Sequence, residues 1–360
     1  MAGVRIEHAR RLWQPETVYL NTASYGLPPR PAWDALQAAL ADWRGGRTSW
    51  EHWGDSTEAA RATFARLCSV PQSHVAIGAN TSSMVGLVAA SLPAGSRVLS
   101  TELEFTSALW PFLAQGAGIE TEWVPAERLA EAVDARTDVV AVSAVQSSDG
   151  QVADLEGVAA AAAHHGAFTV VDATQACGWL PLDAGRFDVL VSSGYKWLLG
   201  PRGTAFMTVR PEAGERLTPH AAGWYAGDDP HASYYGPPLR LSSAARRFDV
   251  SPAWFSWVGA APALELLADI GVEQIHEHNL RLANLFREGL GLEPGDSAIV
   301  SAEIPGAEEL LLGSGVMAAA REGQLRTSWH LYNDEDDVER ALAVLSPGAE
   351  RRPARGSAST

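Results

Sequence analysis

The sequence predicts an α/β protein with a large domain built on a mostly parallel central sheet, followed by a smaller α+β domain. Between residues 70 and 210, short apolar runs alternate with amphipathic or alanine-rich stretches, as expected when helices connect and cover parallel strands. The runs are continuously apolar, which is typical of strands buried on both faces. After residue 250, two long helical stretches precede shorter strands and helices, and this change indicates the second domain.

Each predicted element follows from the hydrophobic period of its segment. We predict strands at 74–79, 96–101, 119–124, 138–145, 167–173, 187–193 and 204–209, and helices near 82–91, 105–117, 126–135 and 155–165. The second domain is expected to hold helices near 254–269, 271–289, 307–321 and 334–345, and strands at 297–304 and 324–332. Residues 211–247 are predicted to be irregular because they are rich in glycine, proline, tyrosine and aspartate.

The predicted domain organisation has four parts. An N-terminal arm at 1–20 is expected to pack on the small domain, with the large domain at 21–247 and the small domain at 248–346. Residues 347–360 are polar and contain proline and glycine, so we predict a disordered tail there.

Composition excludes several classes of function. The net charge of -16 disfavours nucleic-acid binding, because nucleic-acid phosphates would be repelled. The N-terminus lacks a signal-peptide core and no apolar run reaches membrane-spanning length, so we expect a cytoplasmic protein without a membrane partner. Two cysteines, Cys68 and Cys177, cannot form a disulfide framework or a four-thiolate site, and no metal is expected.

Polar side chains follow several predicted strands, at the edge where open α/β sheets bind ligands. Because the carboxyl ends of parallel strands share one rim, these side chains are expected to lie together. They are Asn80, Thr81, Ser147, Asp172, Gln175, Ser193, Tyr195 and Lys196.

Lys196 is the only lysine of the chain and stands between apolar runs. A partly desolvated lysine has a lowered pKa and becomes a nucleophilic amine able to form a Schiff base. The alternative is a lysine that reaches the surface from a strand end. Asp172 likewise is either a functional carboxylate or a helix cap. Together, the two residues fit pyridoxal phosphate, whose aldehyde a lysine holds and whose pyridinium nitrogen an aspartate pairs with.

A phosphate group would need close hydrogen-bond donors. The segment "NTSS" at 80–83 is predicted to open a helix, where free backbone N–H groups favour an anion, although it could also be an ordinary helix start. Ser193 and Tyr195, which stand shortly before Lys196, can add hydroxyl donors. Phe105 either covers one face of the cofactor ring or is a core aromatic residue.

The order of the segments "NTSS", "EFTS", "VQSSDG", "VDATQ" and "SSGYKWLLGPRG" resembles the class V aminotransferase family. That family includes cysteine desulfurases, kynureninases and isopenicillin-N epimerase-type enzymes. The resemblance extends from residue 19 to residue 342. It implies the fold type I of pyridoxal-phosphate-dependent transferases, a homodimer, an amino-acid substrate and a cofactor bound through Lys196.

The resemblance also implies residue roles around the cofactor. Asp172 matches the residue on the pyridine nitrogen and Gln175 the one near the ring hydroxyl, while Phe105 and Ser147 stand where desulfurases often have His and Asn. The matched phosphate ligands are Asn80, Thr81, Ser193 and Tyr195, with Ser251 reaching the phosphate of the partner subunit. Ala23 and Arg326 match the positions that hold the substrate carboxylate, to which the guanidinium fork is suited.

One departure from the desulfurases bears on the reaction. Their small domain supplies a thiolate that receives sulfur, whereas the matching region here, "RTSWHLYNDED", contains no cysteine. We therefore predict β-elimination of the C–S lyase type on a cysteine-derived or bulky β-substituted L-amino acid. The alternatives are a class V aminotransferase or epimerase and, in another class, a non-catalytic scaffold that binds pyridoxal phosphate.

The aromatic residues of two predicted loops, 47–54 and 222–236, have two interpretations. They could line a pocket for a bulky substrate side chain, or they could pack between subunits or against the small domain. A nucleotide-binding oxidoreductase is disfavoured, because no glycine-rich strand-to-helix turn of the dinucleotide type is present.

Overall fold

A computed structural model describes residues 5–345. Its strands are β1 (Val18–Tyr19), β2 (Val75–Gly78), β3 (Ser96–Thr101), β4 (Ile119–Val124), β5 (Val139–Ser143), β6 (Phe168–Asp172), β7 (Val189–Ser193), β8 (Ala205–Val209), β9 (Ile299–Ala302), β10 (Val316–Met317), β11 (Ala319–Arg321) and β12 (Gln324–Ser328). Its α-helices are α1 (Ile6–Ala9), α2 (Arg30–Arg44), α3 (Trp50–Leu67), α4 (Thr81–Ser91), α5 (Thr106–Leu113), α6 (Leu129–Ala132), α7 (Leu155–His165), α8 (Pro211–Gly214), α9 (Trp254–Ile270), α10 (Val272–Gly289), α11 (Ala307–Gly313) and α12 (Glu335–Leu345).

The large sheet has seven strands in the order β2-β8-β7-β6-β5-β3-β4. Strands β3 to β7 pair in parallel, while β8 runs antiparallel to both β7 and β2. Strand β2 therefore has the same direction as β7, and the carboxyl ends of six strands point to one rim. The predicted fold class, with a mostly parallel central sheet, is confirmed.

Both faces of this sheet are buried, as the continuously apolar strands require. One face packs against α3, α7 and α9 through residues such as Phe64, Val158 and Leu264. The opposite face packs against α4 and α5 through residues such as Val85 and Phe112. Since both sides are covered by helices, ligands can reach the sheet only at its edges and rims.

A second sheet, β11-β12-β9, is antiparallel and packs with α10, α11 and α12 around a separate core. N-terminal residues also belong to this region, because β1 pairs with β10 and Leu20 lies in the same core. Helix α9 instead packs against α2 and α3. The four-part domain division stays a prediction, and its first residues and its tail at 347–360 lie outside the described residues.

The seven strands predicted for the large sheet correspond to β2–β8 and differ from them only at their ends. Several helix predictions were wrong. The segment 307–321 is helical only to Gly313, because Gly315 adopts a positive φ of 75° and the chain continues as β10 and β11. Residues 50–54, predicted as part of a loop, begin α3. The helices predicted at 105–117 and 126–135 are the shorter α5 and α6.

Within residues 5–345, no single helix is both long and apolar enough to cross a membrane. Helices α9 and α10 together have the length and apolar composition of a membrane span, but the pair is bent by 85°.

Candidate active site

A cavity of about 510 Å³ opens at the rim formed by the carboxyl ends of β2, β5, β6 and β7. It brings together most of the polar residues that the sequence placed at strand ends. The predicted residues that line it are Asn80, Thr81, Phe105, Ser147, Asp172, Gln175, Ser193, Tyr195 and Lys196.

Lys196 follows β7 in a turn that the N-terminal segment holds in place. Within the turn, the N–H of Leu199 donates to the Lys196 carbonyl at 3.1 Å, and from outside it the N–H of Gly26 donates to the Tyr195 carbonyl at 2.9 Å. A Cβ at position 26 would lie 2.0 Å from the Lys196 carbonyl oxygen, so only glycine allows this approach. The carbonyl groups before and after the Lys196 Cα are therefore each fixed by a backbone hydrogen bond.

The Lys196 side chain is 6% exposed, yet its ammonium forms no hydrogen bond or ion pair with the residues at 5–345. Its Nζ lies 5.3 Å from the centre of the Phe105 ring and 5.9 Å from that of Tyr195. Burial lowers the pKa of Lys196 to about 8, because the opposing attraction of Asp172 is too weak and nearby arginines repel the charge. A nucleophilic amine is thus available near neutral pH.

Asp172 ends β6, between β5 and β7, where it is 6% exposed. The N–H of Thr174 donates to its Oδ1 at 2.9 Å. Burial raises the pKa of this carboxyl, while the Thr174 hydrogen bond and the charge of Lys196 oppose the rise. A cation held in the cavity, such as a protonated ring nitrogen, would stabilise the ionised form of this buried carboxyl.

The start of α4 supplies the groups suited to an anion. Asn80 caps the helix by accepting a hydrogen bond from the N–H of Ser83 at 2.9 Å. The Thr81 hydroxyl lies 2.8 Å from Ser193 Oγ and 3.0 Å from Thr174 Oγ1, which joins three elements at one point. Backbone N–H groups and hydroxyls at a helix N-terminus favour a phosphate.

Gln175 and Arg326 connect the cavity wall to the small domain. The Gln175 amide donates to the Ala23 carbonyl at 2.9 Å and to Ser147 Oγ at 3.0 Å, and accepts from Trp197 Nε1 at 2.7 Å. Arg326, which is 1% exposed, donates through Nη1 to Ser147. Ala23 and Arg326 therefore border the cavity through Ser147 and Gln175, although neither residue is part of its lining.

The structure leaves two predicted groups outside this cavity. Ser251 is exposed and does not line it, so its role at the phosphate of a partner subunit stays a prediction. The loop aromatics pack on one another instead: the Trp50 ring lies 5.0 Å from Trp224 and 5.7 Å from Trp254. None of the aromatic residues at 47–54 or 222–236 lines the cavity in this chain.

Sequence reasoning missed three residues at this site. Thr174 joins the hydroxyl cluster, and the Arg202 guanidinium lies 4.6 Å from the centre of the Tyr195 ring at the cavity wall. Glu104 is buried and accepts from the Ser143 N–H at 2.9 Å and from Gln146 Nε2 at 2.8 Å, so it ties the end of β3 to the end of β5. The available signal for Glu104 was an acid within three residues of the end of an apolar strand, which is close to the signal used for Asp172.

The residues present fit pyridoxal phosphate. The cavity contains a buried amine without a partner among residues 5–345, a buried carboxylate on the adjacent strand, and a helix N-terminus with hydroxyl donors. These three features match the aldehyde, the ring nitrogen and the phosphate of that cofactor.

Comparisons with known proteins agree with this geometry. A model of the aminotransferase class-V family matches residues 18–304. The uncharacterized aminotransferase YcbU of Bacillus subtilis is 30% identical, over 83% of this chain and 85% of that protein. Isopenicillin N epimerase of Streptomyces clavuligerus is 29% identical, over 94% of this chain and 90% of that protein. The solved structure of the cystine C–S lyase C-DES in complex with cysteine persulfide matches with a TM-score of 0.83 at 21% identity, over 92% of this chain and 97% of that one.

Proposed function

The chain belongs to the class V aminotransferase family and uses pyridoxal phosphate, and from that premise we propose that it catalyses β-elimination from a cysteine-derived L-amino acid. The predicted enzyme class and cofactor are confirmed by family membership. The reaction and the residue roles are our proposal.

The bound cofactor supplies an electron sink for a bond broken at the substrate α carbon. Lys196 attaches the cofactor and then acts as the base, since its lowered pKa of about 8 leaves a useful neutral fraction near neutral pH. Asp172 keeps the cofactor ring nitrogen protonated. Thr81, Ser193 and the N–H groups of α4 hold the phosphate, and Arg326 holds the substrate carboxylate.

The observation that carries the elimination proposal is the chemistry of the cavity wall. Its ionisable lining residues within the described chain are Asp172, Tyr195, Lys196 and Arg202, so it contains one amine and no thiol. Cys68 and Cys177 are buried elsewhere, with their Sγ atoms 3.9 Å apart. Without a thiol to take up sulfur, sulfur should leave as a whole thiol or sulfur acid.

Epimerisation is the second candidate, favoured by the 29% identity to isopenicillin N epimerase over 94% of this chain. Inverting an α carbon through two groups requires a proton acceptor on one face and a proton donor on the other. Among the lining residues Lys196 can accept the α proton, whereas Tyr195, which burial keeps protonated by raising its pKa, matches a phosphate ligand. Elimination needs only one base and is therefore preferred.

One experiment separates the reactions. The cofactor-loaded enzyme is mixed with a panel of L-amino acids and cysteine S-conjugates, and keto acid is assayed with and without an added keto-acid acceptor. Catalytic pyruvate without an acceptor supports elimination. Keto acid that forms only with an acceptor indicates transamination, and D-amino acid detected by chiral chromatography indicates epimerisation.

The double variant Cys68→Ala/Cys177→Ala tests whether either thiol carries sulfur. We expect its pyruvate release to stay within about threefold of wild type, because neither thiol lines the cavity. Loss of turnover in a variant with unchanged circular dichroism would favour a protein persulfide instead.

We also propose that the enzyme is a homodimer in which Ser251 completes the phosphate site of the partner subunit. Ser251 is exposed, and Asp249, which is held by Arg61 and the N–H of Ile77, fixes the segment that precedes it. Light scattering should give the mass of a dimer. Ser251→Ala should weaken pyridoxal phosphate binding although Ser251 does not line the cavity of its own chain, and an unchanged affinity would contradict the proposal.

A further inference from the structure

Two arginines of the β11-β12 hairpin converge on one hydroxyl beside the cavity. Arg326 donates through Nη2 to Ser24 Oγ at 2.7 Å, and Arg321 donates through Nη2 to the same oxygen at 3.1 Å. Both guanidinium groups are thus within reach of a single small acceptor. Arg326 also donates to Ser147, which lines the cavity, so the pair lies next to the proposed substrate position.

The described residues supply no negative charge that pairs with these two arginines. Within residues 5–345, no carboxylate pairs with Arg321 or Arg326. A serine hydroxyl is neutral, so it cannot offset the repulsion between two cations that share it. Burial, followed by the charge of Arg321, lowers the pKa of Arg326 to about 10, which reflects that repulsion.

The two side chains differ in access. Arg326 is 1% exposed, whereas Arg321 at the end of β11 is open to solvent. The pairing of Ala319 with Arg326 and of Arg321 with Gln324 fixes both residues on one short hairpin. An incoming molecule would therefore meet Arg321 at the mouth and Arg326 further inside.

We propose that Arg321 and Arg326 form a site for two anionic groups of one substrate. Arg326 takes the α-carboxylate, and Arg321 takes an acidic group on the β-substituent. The substrate class is then a cysteine S-conjugate whose sulfur substituent carries a carboxylate or a similar acid. The geometry that supports this is the convergence of two guanidinium groups, unpaired with any described carboxylate, on Ser24 Oγ at the cavity edge. The assignment rests on the proposed function in two respects, the role of Arg326 and the cysteine-derived substrate.

The direct test measures binding without catalysis. Succinate has two carboxylates, and butyrate has the same chain length with one, so the pair isolates the second anionic group. Isothermal titration of the cofactor-loaded enzyme should show tighter binding of succinate. Arg321→Gln should weaken succinate by about tenfold, as expected for one exposed charge-assisted contact, and leave butyrate within about twofold.

Two further variants serve as controls. Arg321→Lys should retain part of the succinate preference, because the charge remains while the guanidinium fork is lost. Arg128→Gln removes an exposed arginine that pairs with Glu131, and should change neither affinity. If Arg321→Gln weakens butyrate as much as succinate, or changes neither, the proposal is overturned.

A kinetic comparison separates this inference from the proposed function. S-carboxymethyl-L-cysteine and S-ethyl-L-cysteine differ in the terminal acid, and wild type should prefer the former in kcat/KM. If neither substrate releases pyruvate but succinate binding still depends on Arg321, the elimination proposal fails and the two-anion site stands. If both release pyruvate and Arg321→Gln leaves their ratio unchanged, only the two-anion site is wrong.

Discussion

Two pairs of oppositely charged residues are buried in the protein, and they differ in how many hydrogen bonds the chain supplies to them. In the internal pair, Arg61 of α3 meets Asp249, and their side chains are 3% and 0% exposed. In the rim pair, Asp172 ends β6 and Lys196 lies in the turn after the neighbouring β7, and each residue is 6% exposed. Desolvation opposes charge in both places, so the difference lies in what surrounds each group.

The internal pair is fully partnered by the chain. Arg61 donates through Nη2 to Asp249 Oδ2 at 2.5 Å and through Nη1 to the Val75 carbonyl at 2.6 Å. Asp249 Oδ1 accepts from the N–H of Ile77 at 2.8 Å. These contacts connect α3, β2 and the segment before Ser251, and they identify the pair as structural.

The rim pair is incomplete within the described chain. The ammonium of Lys196 has no hydrogen-bond partner there, and Asp172 accepts one bond from the N–H of Thr174. Burial would lower the pKa of Arg61, but Asp249 outweighs it and the pKa rises. At Lys196 burial outweighs Asp172, and the pKa falls to about 8. A buried charge left without protein partners indicates a site completed by a ligand.

The largest expected effect is on the rim pair. Lys196→Ala should abolish the visible absorption of bound cofactor and reduce turnover more than about 1000-fold, because the attachment point and the base are lost together. The variant without cofactor should be at least as stable to urea as wild type, since it lacks a buried, unpartnered charge. A coloured, active variant would show that Lys196 is not the attachment point.

The internal pair should respond in stability. Asp249→Ala leaves the buried Arg61 with only the partly exposed carboxylate of Glu58, 3.2 Å away, and should lower the free energy of unfolding by about 3 kcal/mol. Urea denaturation of the protein without cofactor measures this change. The matched control is Glu131→Ala, which removes an exposed ion pair with Arg128 and should cost less than about 1 kcal/mol. Equal costs for the two variants would mean that burial does not distinguish these pairs.

Asp172→Ala tests the second member of the rim pair. We expect turnover to fall about 100- to 1000-fold, the size typical of removing one preorganised electrostatic group, while the absorption of bound cofactor remains. Stopped-flow absorption would measure the bound cofactor, and steady-state assays would measure turnover. Turnover near that of wild type would reduce Asp172 to a turn-forming residue, which its bond from the Thr174 N–H would explain.

The smallest expected effect is a pH dependence. The pKa of Lys196 is about 8 in the folded chain and roughly 10.4 in an unfolded one, so the unfolded state binds more protons between these values. The stability of the cofactor-free protein should therefore rise, relative to Lys196→Ala, as pH increases from about 8 toward about 10.4. Urea midpoints of both proteins across that range check the slope, and parallel curves would contradict the lowered pKa.

Much of the candidate site could be predicted from strand ends. Asp172 and Lys196 follow apolar runs, and parallel strands bring such residues to one rim whatever the helices between them do. The start of α4 followed from Asn80, whose side chain caps the helix locally. The helix predicted at 307–321 was wrong because its apolar residues also suit the short strands that follow Gly313.

The sequence by itself determined the fold class, the rim and the nature of its amine and carboxylate, because those depend on local periodicity and on the geometry of parallel strands. Only the tertiary structure decided that Arg326 and Arg321 share Ser24, residues separated by 302 and 297 positions along the chain. It also decided that Arg61 finds Asp249, while Lys196 has no partner in the described chain. Local sequence signals charge and burial, but whether a buried charge is neutralised depends on distant segments that only folding brings together.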